Sequence, residues 1–142
     1  MDILVAALIA WISTQTGLSM VSPPRVEFVT PPIMSEIVSG PDIAPNPQLR
    51  ALYIRHSATI YLRTNWDPLR LNDQSELVHE LVHHFQRAHN LPYQCDAARE
   101  TLAYDLQMKW LKDQGVEDPH DLLQINPFYI VMVSVCRDSD HD

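Results

Sequence analysis

The chain opens on an almost wholly apolar run, MDILVAALIAWI, after which polar Ser13, Gln15 and Thr16 lead to Gly17. That pattern predicts a buried helix with Gly17 as its C-cap. RVEFVT, residues 25–30, alternates apolar and polar positions and predicts a short strand. Residues 31–47 hold Pro31, Pro32, Pro41, Pro45 and Pro47 and predict a mostly proline-broken loop, because proline fixes φ and restricts the residue before it. ALYIRHSATIYLR, residues 51–63, has two β-rich runs around His56-Ser57-Ala58, the pattern of an antiparallel hairpin. After Trp66-Asp67-Pro68 turns the chain, Leu77, Leu81 and Phe85 repeat at helical spacing with Val78 and Val82 beside them. Asn72, Asp73 or Ser75 are candidate caps for this helix, with Glu76 near its first turn, and Asn90 and Pro92 end it. A second helix is expected from about Gln94 to Gln114, stopped at Gly115. Asp118-Pro119 and Asn126-Pro127 are cap-plus-first-turn signatures and predict two short helices, although FYIVMVSV is β-rich enough to leave a strand open there. No internal repeat interrupts this order, and residues 1–142 read as one domain.

Composition narrows the picture. A chain of 142 residues, 46% apolar and 20% charged, is that of a globular domain able to bury a core without staples. The net charge of −8 offers phosphate no counter-charge, so no nucleic-acid partner is expected. The apolar start carries Asp2 and no Lys or Arg, lacks a small-x-small cleavage site, and is shorter than the ~18 residues a spanning helix wants. It is expected to be a helix of the domain rather than a targeting segment, and no membrane partner follows from it. Cys95 and Cys136 are consistent with one disulfide or with two buried thiols. Pairing is the expectation, since one lies beside the motif helix and the other near the C-terminus. It would imply an extracytoplasmic, oxidising compartment, periplasmic or secreted; free thiols would fit the cytoplasm.

The chemistry gathers in HELVHHFQRAH, residues 79–89. His79 and His83 stand ~6 Å and ~40° apart on a helix, so both imidazoles can reach one zinc ion. Glu80 falls on the same side without ligating, where a general base takes a proton from zinc-bound water. His89 has the spacing of the third ligand in H-E-x-x-H-x-x-G-x-x-H, but Gln86 replaces the helix-breaking glycine. In an unbroken helix His89 lies ~15 Å along the axis from His79, out of reach of the same ion. His84 points ~100° away from His83. Glu100 follows His83 by seventeen residues, room for a turn and a second helix that crosses the metal. Ala103 and Tyr104 share the face of Glu100, one small enough for close helix approach, the other aimed at the site.

With His79-Glu80-Leu81-Val82-His83 followed by Glu100, the chain resembles a zincin of the gluzincin type. More narrowly, HELVHHFQ, then a cysteine shortly before RETLAYDLQ and WL, resembles a small bacterial family of zincin-like domains of unknown function, over about Ala7 to Cys136. The resemblance implies an α+β, zincin-like fold in which a small antiparallel sheet packs on the motif helix and on a following glutamate-bearing helix. It implies one Zn2+ per chain held by His79, His83 and Glu100, with Glu80 as general base. Thermolysin-like gluzincins keep an aspartate four residues after the glutamate ligand to orient the first histidine. Here that place is Tyr104, Asp105 is one residue out of phase, and Asp96, one turn before Glu100, is the alternative orienting carboxylate.

The function so implied is zinc-dependent hydrolysis of peptide bonds in a peptide or protein substrate. The strand ending in Ile60-Tyr61-Leu62 is expected to bind substrate backbone by strand addition. Tyr104, His120, His56 and Tyr129 are candidates for the second oxyanion donor, with Tyr104 favoured by helical phase. Two other readings stand beside this one: a non-catalytic zinc-stabilised binding domain, suggested by the small size, and a zinc amidase acting on cell-wall peptides. A base at Glu80 favours the catalytic readings, because a structural zinc needs none.

Overall fold

The computed structural model describes residues 1–39 and 49–137. Within them the chain is α+β: six α-helices and a three-stranded mixed sheet. Helix α1 (Asp2–Thr16) ends on Gly17, whose φ of 74° lets its N–H close on the Ser13 carbonyl. It buries Val5, Leu8, Ile9 and Ile12 in the common core, so the apolar opening of the chain is a helix of this domain. No helix among the described residues is long and apolar enough to cross a membrane.

Strand β1 (Arg25–Val29) leads into helix α2 (Pro31–Ser39), where a loop was expected. The two prolines sit in its first turn, where a missing N–H costs nothing and a φ near −65° suits the helix. The Met34 N–H then bonds the Thr30 carbonyl, and the Met34 side chain is buried. The rest of the expected loop, residues 40–47, lies outside the described residues. Strands β2 (Ala51–Ile54) and β3 (Thr59–Arg63) form the expected antiparallel hairpin, with Tyr53 opposite Ile60. The sheet is not purely antiparallel, however: its order is β1-β3-β2, with β1 parallel to β3 from Arg25 opposite Thr59 to Val29 opposite Arg63. β3 is therefore central, with both backbone edges already paired. Strand addition at Ile60–Leu62 is ruled out; among the described residues the open edges are those of β1 and β2.

Helix α3 (Leu71–Ala88) starts earlier than its candidate caps, which all lie inside it. Asp73 is instead a buried tie: its carboxylate accepts from Arg50 Nε at 3.1 Å, from Arg50 Nη2 at 2.8 Å and from the Asp67 N–H at 2.8 Å, while its carbonyl accepts from the Trp66 indole. Asn90, with a φ of 50°, closes the far end: the Leu91 N–H reaches back to the Gln86 carbonyl and the Asn90 N–H to that of Arg87. A 3-10 turn, Asp96–Arg99, precedes helix α4 (Glu100–Asp113), which packs closely along α3. Gly115 ends α4 in the left-handed region, as expected.

Helices α5 (Pro119–Leu123) and α6 (Pro127–Ser134) begin at the two Asn/Asp-Pro signatures, each capped by the side chain of Asp118 or Asn126. The β-rich FYIVMVSV segment is thus largely helical, resting on α4 and the 3-10 turn. The core runs between α1, the sheet, α3 and α4, with Ile60, Leu62, Leu77, Val78, Leu81, Val82, Ala103 and Leu111 fully enclosed. A Cys95–Cys136 disulfide, with Cα atoms 5.8 Å apart, fastens the end of α6 beside the start of α4.

Candidate metal centre

The packing of α3 on α4 brings the expected residues together. His79 Nε2 lies 3.0 Å from Glu100 Oε2 and His83 Nε2 lies 2.8 Å from Glu100 Oε1. One carboxylate at the first position of α4 is therefore shared by two imidazoles one turn apart on α3. His79, Glu80 and His83 each offer a ligand atom within 4.8 Å of the other two, a group that could hold a metal ion. Ala103, fully buried, permits the close approach of the two helices that this requires.

The remaining ring nitrogens are also held. His79 Nδ1 is 2.9 Å from Gln107 Oε1, and His83 Nδ1 is 2.8 Å from Gln86 Oε1. Asp96 does not orient His79: its carboxylate is exposed and pairs with Arg55 and Arg99. Gln107 does so in its place, three residues beyond the position where an aspartate was sought. Gln86, which stands where the longer histidine motif has its glycine, holds His83 in the same way. The signal for Gln107 was its place seven residues after Glu100, two turns along the same face, and for Gln86 its place three residues after His83.

Glu80 is buried between these groups, and its Oε2 has no hydrogen-bond partner among the described residues. An orphaned buried carboxylate oxygen is costly, and it marks a place where a water or a cation belongs. Burial raises the Glu80 carboxyl above its ordinary range, opposed by the attraction of His79 and His83 and reinforced by Glu100. For Glu100 burial pulls the same way, but hydrogen bonds from both histidines outweigh it and hold the carboxyl far below the usual range. For His83 burial works against the charged ring, yet the Glu100 hydrogen bond and the Glu80 charge prevail and raise it to about 9. A cation would take over the part that this Nε2 proton plays between imidazole and carboxylate. Two imidazole nitrogens with one or two carboxylates form a donor set suited to a borderline ion such as zinc.

Tyr104 sets its ring edge-on to His79, centroids 4.5 Å apart. Burial, then the nearby charges of Glu100, Tyr129 and Glu80, keep its hydroxyl protonated far above neutrality. Of the other donor candidates, Tyr129 is half-exposed on α6, His56 is exposed in the β2–β3 turn, and His120 is half-buried in α5. His89 takes no part: α3 runs unbroken to Ala88, and His89 bonds the Ser19 carbonyl at 2.9 Å and stacks on Phe85. His84 faces elsewhere too. Its Nε2–H donates to the Ser22 carbonyl at 2.7 Å, so its Nδ1 accepts from the Tyr53 hydroxyl at 2.8 Å, and burial lowers its pKa.

The family model described as "Domain of unknown function (DUF6647)" matches residues 1–142. No curated protein and no solved structure matches the chain.

Proposed function

The chain belongs to the family of that domain of unknown function, DUF6647, and from this premise we propose that it is a small zinc hydrolase of gluzincin type that cleaves peptide bonds. The observation that carries the reading is the convergence of His79 and His83 Nε2 on the Glu100 carboxylate, beside the orphaned buried Oε2 of Glu80. His79, His83 and Glu100 would hold one Zn2+. Zinc, when bound, supplies a Lewis acid that polarises a water and the scissile carbonyl.

Glu80 accepts the water's proton at its free oxygen and returns it to the leaving amine. Tyr104, kept protonated, offers a hydroxyl donor to the oxyanion that develops on the substrate carbonyl. Extended substrate backbone would pair with an edge strand, and β2 is the edge strand that lies against α3. The Cys95–Cys136 disulfide supports a working place outside the cytoplasm, periplasmic or secreted.

The test compares wild type with Glu80→Gln for zinc content by mass spectrometry, melting temperature and turnover of a broad peptide library. Glutamine is nearly isosteric but takes no proton at neutral pH, so zinc and melting temperature should hold while turnover falls at least ~10²-fold. Equal turnover in the two proteins removes Glu80 as the base. Zinc in both with no cleaved peptide in either favours the zinc-stabilised binding domain.

A further inference from the structure

A primary amide has a donor end and an acceptor end, so whatever its outer end touches decides what its inner end presents. Gln86 Nε2 lies 3.0 Å from the Arg99 carbonyl, which can only accept, and 2.9 Å from the Tyr93 hydroxyl. Its Oε1 must therefore face His83, whose Nδ1 must carry a proton. Gln107 obeys the same logic through one more step. The Ser75 hydroxyl donates to the Asn72 carbonyl at 2.7 Å, so Ser75 Oγ accepts from Gln107 Nε2 at 3.1 Å, and Gln107 Oε1 faces His79 Nδ1.

We propose that Gln86 and Gln107 are positioning residues that hold His83 and His79 as Nδ1–H donors, so that both Nε2 atoms are presented to a metal ion beside Glu100. The inference rests on reading the cluster as a metal site, but its hydrogen bonds exist with or without the ion. The two amides bracket α3 and α4 in opposite directions. Gln86 reaches from α3 to the peptide that immediately precedes Glu100, and Gln107 reaches from α4 back to His79. The ligand set is thereby tied at both ends of its span, by groups only 2% and 3% exposed, where no water can stand in for a lost amide. Being neutral, the amides fix the tautomer without adding negative charge behind the imidazoles, as the usual carboxylate partner of a metal-bound histidine does.

The test is heteronuclear NMR on histidine-labelled full-length protein, metal-free and zinc-loaded, together with zinc affinity from chelator competition. Wild type should show slowly exchanging Nδ1–H protons on His79 and His83 in both states. Gln107→Leu should lose that of His79 alone, Gln86→Leu that of His83 alone, each with a ~10–100-fold loss of zinc affinity. Gln107→Glu should keep the His79 proton, because the Ser75 hydroxyl can turn round to donate to the new carboxylate. Gln86→Glu should not recover zinc affinity, because the Arg99 carbonyl cannot turn round. If a leucine variant fails to fold, Ser75→Ala replaces it for the His79 arm: with the outer anchor gone, the His79 proton should exchange faster and the His83 proton should not change. Retention of both protected protons in Gln107→Leu or Ser75→Ala, with wild-type zinc affinity, overturns the proposal. A wild-type protein that binds no zinc but shows both protons, lost as stated, overturns the hydrolase reading and the metal-presenting role while leaving the brackets themselves.

Discussion

His89 lies ten residues from His79 and Glu100 lies twenty-one, yet it is the more distant residue that meets the imidazole. A straight helix carries His89 along the axis to the Ser19 carbonyl, whereas the turn after Asn90 brings Glu100 back over the motif. Glu100→Ala should therefore abolish zinc binding by the purified protein and His89→Ala should leave about one zinc per chain, the stoichiometry of a three-ligand site. The reverse result would remove the proposed ligand set. Glu76, one turn before Glu80, makes a different prediction. Burial, followed by repulsion from Asp73, raises its carboxyl from 4.5 to about 7 despite Arg50, and its Oε2 has no hydrogen bond among the described residues. Because the folded value is the higher one, the contribution of Glu76 to stability is fully present below pH 4.5 and is lost as pH rises through about 7. Glu76→Gln, uncharged throughout, should gain on wild type over that window, by up to about 3 kcal/mol. Urea denaturation at several pH values checks this, and a difference independent of pH would contradict it.

At the scale of elements, α6 is a helix that rests on its neighbours without burying a residue of its own. None of its residues is fully buried, and Phe128, Tyr129, Val131 and Met132 are all more than half exposed. The disulfide does what its apolar contacts do not, closing a sequence separation of 41 residues. The loop-entropy relation gives such a cross-link about 4 kcal/mol. Replacing both cysteines by serine should lower the melting temperature and expose α6 to limited proteolysis, with α3 and α4 cut last; an unchanged digestion pattern would mean that α6 holds itself. Most elements could be read from local pattern, because period and punctuation are written in neighbouring residues. Both Pro-led short helices, the β2–β3 hairpin and the Asn90 and Gly115 stops belong to this class. Residues 31–39 are helical rather than the loop their prolines predict, since the same two prolines that break a helix interior are welcome in a first turn, and the buried Met34 decides between the two. The side-chain cap of α3 failed for a related reason: Asp73 had a stronger tertiary use in binding Arg50 and Asp67.

Across the whole molecule, the site depends on how closely α3 and α4 approach, and Ala103 sets that distance from the buried side of α4. Ala103→Leu should cost about 1–3 kcal/mol by overpacking and should also weaken zinc binding, because it pushes Glu100 away from both histidines. Denaturation and zinc titration of one preparation test this together; a loss of stability with undiminished zinc affinity would separate the helix interface from the site. His79, Glu80, His83 and Glu100 were legible in the sequence because helical spacing alone puts the first three on one side of α3, and a seventeen-residue return suffices for the fourth. Most helices and strands of the α+β fold were marked by the same local periodicities, and the class itself was what the resemblance implied. What the sequence left undetermined were relations between segments that are distant along it. β1 joins β3 rather than β2, which places β3 in the centre of the sheet and closes it to a peptide. His79 meets Gln107 across 28 residues, and Gln86 meets the peptide before Glu100. Strand edges look alike before they pair, and helical phase puts each glutamine on the face of the site without saying which partner it meets. Tertiary packing made those decisions, by burying each amide where only one of its two orientations satisfies both of its ends.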